Sequence, residues 1–332
     1  MGRFGTRGLK EDLDPDVAAR PRSIPFVLKL VLAAVLLYAV FNVVPLSRVL
    51  ESISRADLRF LLAGLGISLI SIWLSAARLR FLVEVAGERL PLSRIVRINL
   101  SASWYGLALP GTLAGGIVRW HRLTRIGAGK AATLAAITYA RLVHVVTLVL
   151  LGLLFLAVEI PHQAGSIALG LVAFLVGLLA AGYLGFHGEG SRLWSSLTRH
   201  GPAFVGRWLE RWHSVARDVR RLSGKDMASM WVLSVLEHAV GVVSIWLLAR
   251  SVAIEVSLVT LGWIRSAVAI ATSLPITVSG LGIREGGMIL MLEPYGVDGA
   301  QAVALSFLML ARGVVAGVLG GLVEAWDAVR GR

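Results

Sequence analysis

Apolar residues in this chain run in long blocks, with polar residues confined to the gaps between them. Six blocks read as full membrane spans: Pro25 to Pro45, Leu58 to Ala77, Ala131 to Val158, Ser166 to Phe186, Met227 to Ala249 and Gly299 to Ala325. A crossing needs roughly 20 apolar residues, and hydrocarbon offers the backbone no outside partner, so each block predicts one α-helix. The first block is longer than the apolar core of a signal peptide and no small-residue cleavage site follows it, which predicts an uncleaved span. Two further apolar segments, Leu92 to Val118 and Val256 to Ile283, are interrupted by glycine and proline. The expected fold class is therefore an all-α polytopic membrane protein, with six transmembrane helices and two re-entrant broken-helix hairpins.

Composition agrees. Of 332 residues, 56% are hydrophobic and only 16% are charged, with a mean hydropathy of +0.76. Soluble domains carry about 25% charged residues. Spans of this length leave no room for a separate soluble catalytic domain. The absence of cysteine excludes disulfides, thiolate metal sites and a cysteine nucleophile. The net charge of +13 reads as orientation within a membrane before any nucleic-acid partner.

Basic loops set that orientation, since Lys and Arg concentrate on the cytoplasmic side. Stretch 78–97 holds Arg78, Arg80, Arg89, Arg94 and Arg97, and stretch 119–130 holds Arg119, Arg122, Arg125 and Lys130. Both are expected in the cytoplasm, so the broken segment between them should enter and leave on that side. Loops 46–57 and 159–165 read as external. The loop 187–225, with eight Lys/Arg against three acids, reads as cytoplasmic. The second broken segment then begins and ends outside. The expected organisation is a cytoplasmic tail (1–24), a first membrane half with a following span (25–186), a cytoplasmic linker (187–225), a second membrane half (226–326) and a C-terminal tail (327–332). A multi-pass cell (inner) membrane protein with both termini cytoplasmic follows.

The two broken segments match. Leu109-Pro110-Gly111-Thr112-Leu113-Ala114-Gly115-Gly116-Ile117-Val118-Arg119 aligns without gaps on Leu274-Pro275-Ile276-Thr277-Val278-Ser279-Gly280-Leu281-Gly282-Ile283-Arg284. Leu, Pro, Thr, Gly and Arg recur at equal spacing, and Ser101-Ala102 falls on Ser266-Ala267 in the same register. Ala140-Arg141 also resembles Ala311-Arg312, at a slightly different offset. Three spans and one hairpin per half would invert the second half. Paired Gly/Pro-interrupted segments in inverted halves are a pointer to a transporter's central site.

The chemistry of those segments suits an anion. Pro110 and Pro275 each remove a donor and end a helix. Gly115, Gly116, Gly280 and Gly282 permit the turn and expose backbone N–H groups. Arg119 and Arg284 follow. A glycine turn, a helix start and an arginine together fit phosphate. The structural alternative is an arginine snorkelling from a kink. Arg141, Arg265 and Arg312 lie inside apolar segments, as do Glu237, His238 and His144. Each buried charge costs at least about 2.5–3.5 kcal/mol, so such residues are functional candidates. They could also be structural ion pairs, for instance Glu237 with Arg141 or Arg312. Glu237, His238, His144 and Glu285 are candidates for proton coupling. Surplus positive charge points to an anionic group on the substrate.

Residues 203–222 place Phe204, Trp208, Trp212, Val215, Val219 and Leu222 at spacings of three and four, with Arg207, Arg211, Arg217, Arg220 and Arg221 between them. This predicts an amphipathic helix on an anionic leaflet. Asp12-Leu13-Asp14-Pro15-Asp16 offers an Asp-x-Asp, but in a proline-containing tail. No phosphate-binding loop, nucleophile elbow or zinc-protease motif is present. No catalytic residue, metal, cofactor or nucleic-acid partner is expected.

At Leu109-Pro110, Gly115-Gly116 and Arg119, and at Leu274-Pro275 with Gly280-Leu281-Gly282-Ile283-Arg284-Glu285-Gly286, the chain resembles the flippase-like transmembrane domain of lysylphosphatidylglycerol synthase, of the multiple peptide resistance factor group. It resembles a stand-alone member, and some relatives carry the label dolichol-phosphate-glucose synthetase-like. Where that family often has an acidic residue after the first glycine pair, Ile117 stands here. The soluble aminoacyl-transferase domain is absent, so lipid aminoacylation is not expected. The resemblance implies an inner-membrane translocase for an anionic phospho- or polyprenyl-linked lipid, with the headgroup phosphate bound by Arg119 and Arg284 from opposite sides. A membrane-embedded glycosyl- or lipid-transferase and a non-transporting membrane subunit are the alternatives. A homo-oligomer is compatible with each of these.

Overall fold

A computed structural model describes residues 26–85, 89–108, 114–126, 130–159, 164–187, 224–273, 277 and 280–330. The expected helix at 203–222, the Asp-x-Asp tail and both hairpin prolines, Pro110 and Pro275, lie outside the described residues. Among those described, every regular element is helical: α1 (Phe26–Val43), α2 (Leu46–Ser54), α3 (Leu58–Val85), α4 (Leu92–Ala108), α5 (Ala114–Arg125), α6 (Lys130–Glu159), α7 (Ala164–His187), α8 (Gly224–Ser251), α9 (Leu258–Ser273), α10 (Ile283–Leu292), a 3₁₀ turn (Glu293–Tyr295) and α11 (Gly299–Val329).

By length and composition α3, α6, α8 and α11 suffice to cross a membrane. α1 and α2 add a fifth if counted together, although they are bent by 79°, and α7 contributes a shorter apolar stretch at Gly165–Ala180. Six full spans were expected. Large apolar side chains such as Leu62, Trp73, Leu154, Val176 and Leu322 point outward along these helices, as lipid contact requires.

Two boundaries differ from expectation. Segment 46–57, expected as an external loop, contains helix α2. Pro45 cannot continue α1 but its fixed φ, here −57°, suits a new helix start. Val49 then buries fully, next to α11. Helix α3 runs past Ala77 to Val85, because Leu79, Leu82 and Val83 resume the buried face beyond Arg78. Arg78, expected in a cytoplasmic loop, is thereby drawn into the bundle.

Partners recur in the two halves. α3 packs lengthwise on α8; α4 packs on α11, and α9 packs on α6. The helix before each break, α4 or α9, thus lies on a long helix from the other part of the chain. Small residues permit the approach, as between membrane helices generally. A Cβ at Gly320 would sit on the Leu100 carbonyl oxygen, and one at Gly262 would enter the Phe155 ring.

The outer ends of the two broken segments lie at opposite ends of the bundle. The start of α4 and the end of α5 meet the end of α11 at a basic end, around Arg94, Arg97, Arg122 and Arg125. At the other end the start of α9 meets the end of α6, where Glu159 accepts from Thr260 Oγ1 (2.6 Å) and Trp263 Nε1 (2.9 Å). There too Ser251 of α8 accepts from the Asp57 N–H before α3 (2.8 Å), and Gln301 of α11 donates to the Val252 carbonyl (3.1 Å).

A candidate anion site in the bundle interior

The lengthwise pairing of α3 with α8 places Arg78 against Glu237. Arg78 Nη1 lies 2.8 Å from Glu237 Oε2, with side-chain exposures of 6% and 13%. The same nitrogen donates to Ser234 Oγ (2.9 Å) and reaches His144 Nδ1 on α6 (3.3 Å). His144 Nδ1 is also 3.6 Å from Glu237 Oε2. The rings of His144 and His238 are 4.3 Å apart. His238 Nε2 donates to the His144 carbonyl (2.8 Å), and Arg265 Nη1 of α9 donates to His238 Nδ1 (3.2 Å). Those partners use the tautomer of His238 that carries its proton on Nε2. One polar chain thus connects α3, α6, α8 and α9.

Gly241 makes room for Arg265. A Cβ there would come within 2.9 Å of Nη2 and 3.1 Å of Cζ, so the guanidinium lies flat on the α8 backbone. Arg119 on α5 lies within electrostatic reach of Arg78, Glu237 and Arg141. Arg265 lies within reach of Arg312 and Glu237. Three guanidinium groups, from Arg78, Arg119 and Arg265, therefore lie within reach of one carboxylate, with the exposed Arg141 in reach of Arg119 and Arg312 in reach of Arg265. Arg119 Nε and Arg312 Nε are buried without a hydrogen-bond partner among the described residues. A buried donor left unpaired is costly, as is a buried charge without a counter-ion. Arg78 Nε is unpartnered as well, and unpartnered guanidinium donors of this kind suit an anion with several acceptor oxygens.

Arg284, expected to be equivalent to Arg119, has different surroundings. Its Nη2 and Nε donate to Glu285 Oε1 (2.7 and 3.2 Å), and Nε donates to Ser306 Oγ (2.8 Å). Ser306 also donates to Glu285 Oε1 (2.8 Å). Glu285 Oε2 accepts from the Gly282 N–H (2.6 Å), closing the first turn of α10. Gly282 has φ +83°, and a Cβ there would collide with Leu36, so glycine is required. Glu285 is fully buried and both its carboxylate oxygens accept hydrogen bonds. In the aligned register Trp120 stands where the second half has Glu285. The matching arginine of the first half thus lacks the adjacent counter-ion.

The other expected residues divide. Arg141, Arg265, Arg312, Glu237, His144 and His238 come together with Arg119. Glu237 pairs with Arg78 instead of the suggested Arg141 or Arg312. Gly115 and Gly116 begin α5, next to the α4 backbone at Ala102 for Gly115. Arg78 and Ser234 were missed in the sequence. The available signal was the apolar run that continues through Leu79, Phe81, Leu82 and Val83 after Arg78. Among the described residues no group of three His, Cys, Asp or Glu side chains could hold a metal ion.

A helical bundle with a lipid-facing apolar exterior and a cationic polar interior defines a multi-pass membrane protein with an internal anion-binding constellation. The chain belongs to the family of the lysylphosphatidylglycerol synthase TM region, whose model matches residues 26–321. No curated protein matches the chain.

Proposed function

We propose that the protein moves an anionic, phosphate-bearing lipid between the leaflets of the cell (inner) membrane. The observation that carries this reading is that Arg78, Arg119 and Arg265 lie within reach of the one carboxylate of Glu237, with Arg141 and Arg312 adding charge beside Arg119 and Arg265. Arg119 and Arg312, with their unpartnered Nε donors, are the first ligands for the phosphate; Arg141 and Arg265 line its path. Arg284 holds the second hairpin in shape. The recurring helix pairings and the opposite placement of the broken segments' outer ends support an inverted repeat with re-entrant hairpins. The loop charges support cytoplasmic termini, with the basic end facing the cytoplasm. The family's flippase role supports the same reading. Native mass spectrometry of the purified chain tests it. The expected co-purified ligand is a phosphate-bearing lipid, whose stoichiometry falls in Arg119→Met and which is recovered chemically unchanged after incubation. Chemical conversion of that lipid by the chain would favour a transferase.

A further inference from the structure

At the basic end, α4, α5 and α11 enclose a cavity of about 1350 Å³ that none of the five central arginines lines. We infer that this cavity is a second, superficial site that captures the phosphate of an anionic lipid from the adjoining leaflet. The inference rests on the translocase reading and adds the place where its substrate is first held.

The wall of the cavity carries Arg94, Arg97, Arg122 and Arg125 together with His121. Among the described residues two acids, Glu324 and Asp327 of α11, share the lining. Four guanidinium groups against two carboxylates leave a surplus of two positive charges with the histidine neutral. Arg122 Nη2 contacts Glu324 Oε2 at 2.6 Å, and Tyr105 donates to the same oxygen at 3.4 Å. Arg97 Nη1 contacts Asp327 Oδ1 at 3.3 Å. Arg94 and Arg125 are exposed and have no ion pair among the described residues.

Arginines at a helix end often serve only the helix dipole. Arg122 and Arg125 in the last turn of α5 fit that role. Arg94 does not, because it sits in the first turn of α4, where a cation opposes the dipole. Apolar side chains complete much of the lining: Ile98, Ile117, Val118 and Ile126. A lining that mixes basic and apolar side chains fits a phosphate that carries acyl chains, and a free phosphate has no use for the apolar part. Glu324 and Asp327 act as stand-in anions. They hold Arg122 and Arg97 until the phosphate competes for them.

The test uses the full chain, whose lack of cysteine permits a single Ser93→Cys on the exposed rim. This position carries an environment-sensitive fluorophore in phosphatidylcholine nanodiscs, and phosphatidylglycerol is added as a rising mole fraction. A saturable signal is expected. Arg94→Gln with Arg125→Gln should raise the half-saturating fraction about tenfold or more, since charge-assisted hydrogen bonds are lost. Glu324→Gln should lower it, because a competing anion is removed. An unchanged titration in the double arginine variant, or no response to phosphatidylglycerol, would overturn the site. Inorganic phosphate alone producing the same saturation would reassign it to a free anion and overturn the lipid assignment. Arg119→Met should leave this signal intact while abolishing leaflet exchange, so failure here and failure of the central site are separable.

Discussion

Arg119 and Arg284 occupy matched positions in matched motifs, and the structure predicts opposite consequences when each is replaced by methionine. Arg119→Met removes a cation with no ion-pair partner among the described residues and a buried, unpartnered Nε. Inserting such a charge costs about 2.5–3.5 kcal/mol, so the variant should be at least as heat-stable as the parent. Anion binding should fall, since one charge-assisted hydrogen bond is worth about 1.5–3 kcal/mol, roughly 10- to 150-fold in affinity. Arg284→Met instead strands Glu285, which is fully buried and accepts two hydrogen bonds from that arginine. Breaking a buried pair from one side costs about 3–5 kcal/mol. At about 2–4 °C per kcal/mol this is a drop of roughly 6–20 °C in Tm. Intrinsic tryptophan fluorescence during heating in detergent reads the stability, and the stoichiometry of lipid retained in native mass spectrometry reads binding at the central site. Adding Glu285→Gln to Arg284→Met should recover part of the lost stability, because no buried charge is then unpaired. Equal losses of stability in the two single variants would refute the distinction between a binding arginine and a structural one.

Three further expectations concern packing and the central pair. Arg78→Met should destabilise the bundle more than the double variant Arg78→Met/Glu237→Gln, with a coupling of about 0.5–3 kcal/mol in a double-mutant cycle from melting curves. Gly320→Ala should cost about 1–3 kcal/mol by driving α4 from α11, whereas Gly66→Ala, with open space around it, should not lower Tm. Gly241→Ala should displace the Arg265 guanidinium and weaken anion binding while the chain still runs as a single species on size exclusion.

Much of this was legible in the sequence because membrane helices announce themselves by apolar length. The long helices α3, α6, α8 and α11 and the two interrupted segments follow directly from it. Arg141, Arg265 and Arg312 were legible as charges where charges are expensive, and Arg119 by its place after the glycine turn. Pairing was not. Which cation meets Glu237 depends on how α3 crosses α8, and a basic residue near a span's end reads first as an orientation signal, so Arg78 was assigned to a loop. The difference between Arg119 and Arg284 was present in the chain as Trp120 against Glu285. Its meaning needed the geometry by which the Glu285 carboxylate bonds both Arg284 and the Gly282 N–H. Helix α2 escaped because nine residues of amphipathic helix look like a polar loop when only apolar length is weighed.

The central claim is tested most directly by leaflet exchange in proteoliposomes. The purified chain is reconstituted with fluorescently labelled phosphatidylglycerol, and the fraction open to a membrane-impermeant quencher is followed over time. The account predicts that the accessible fraction rises above the half set by the outer leaflet when the parent chain or a correctly folded Gly66→Ala control is present. It predicts no rise above protein-free vesicles with Arg119→Met, although that variant folds normally. Exchange at the parental rate with Arg119→Met, or accessibility fixed at the outer-leaflet half with the parent chain, would contradict it.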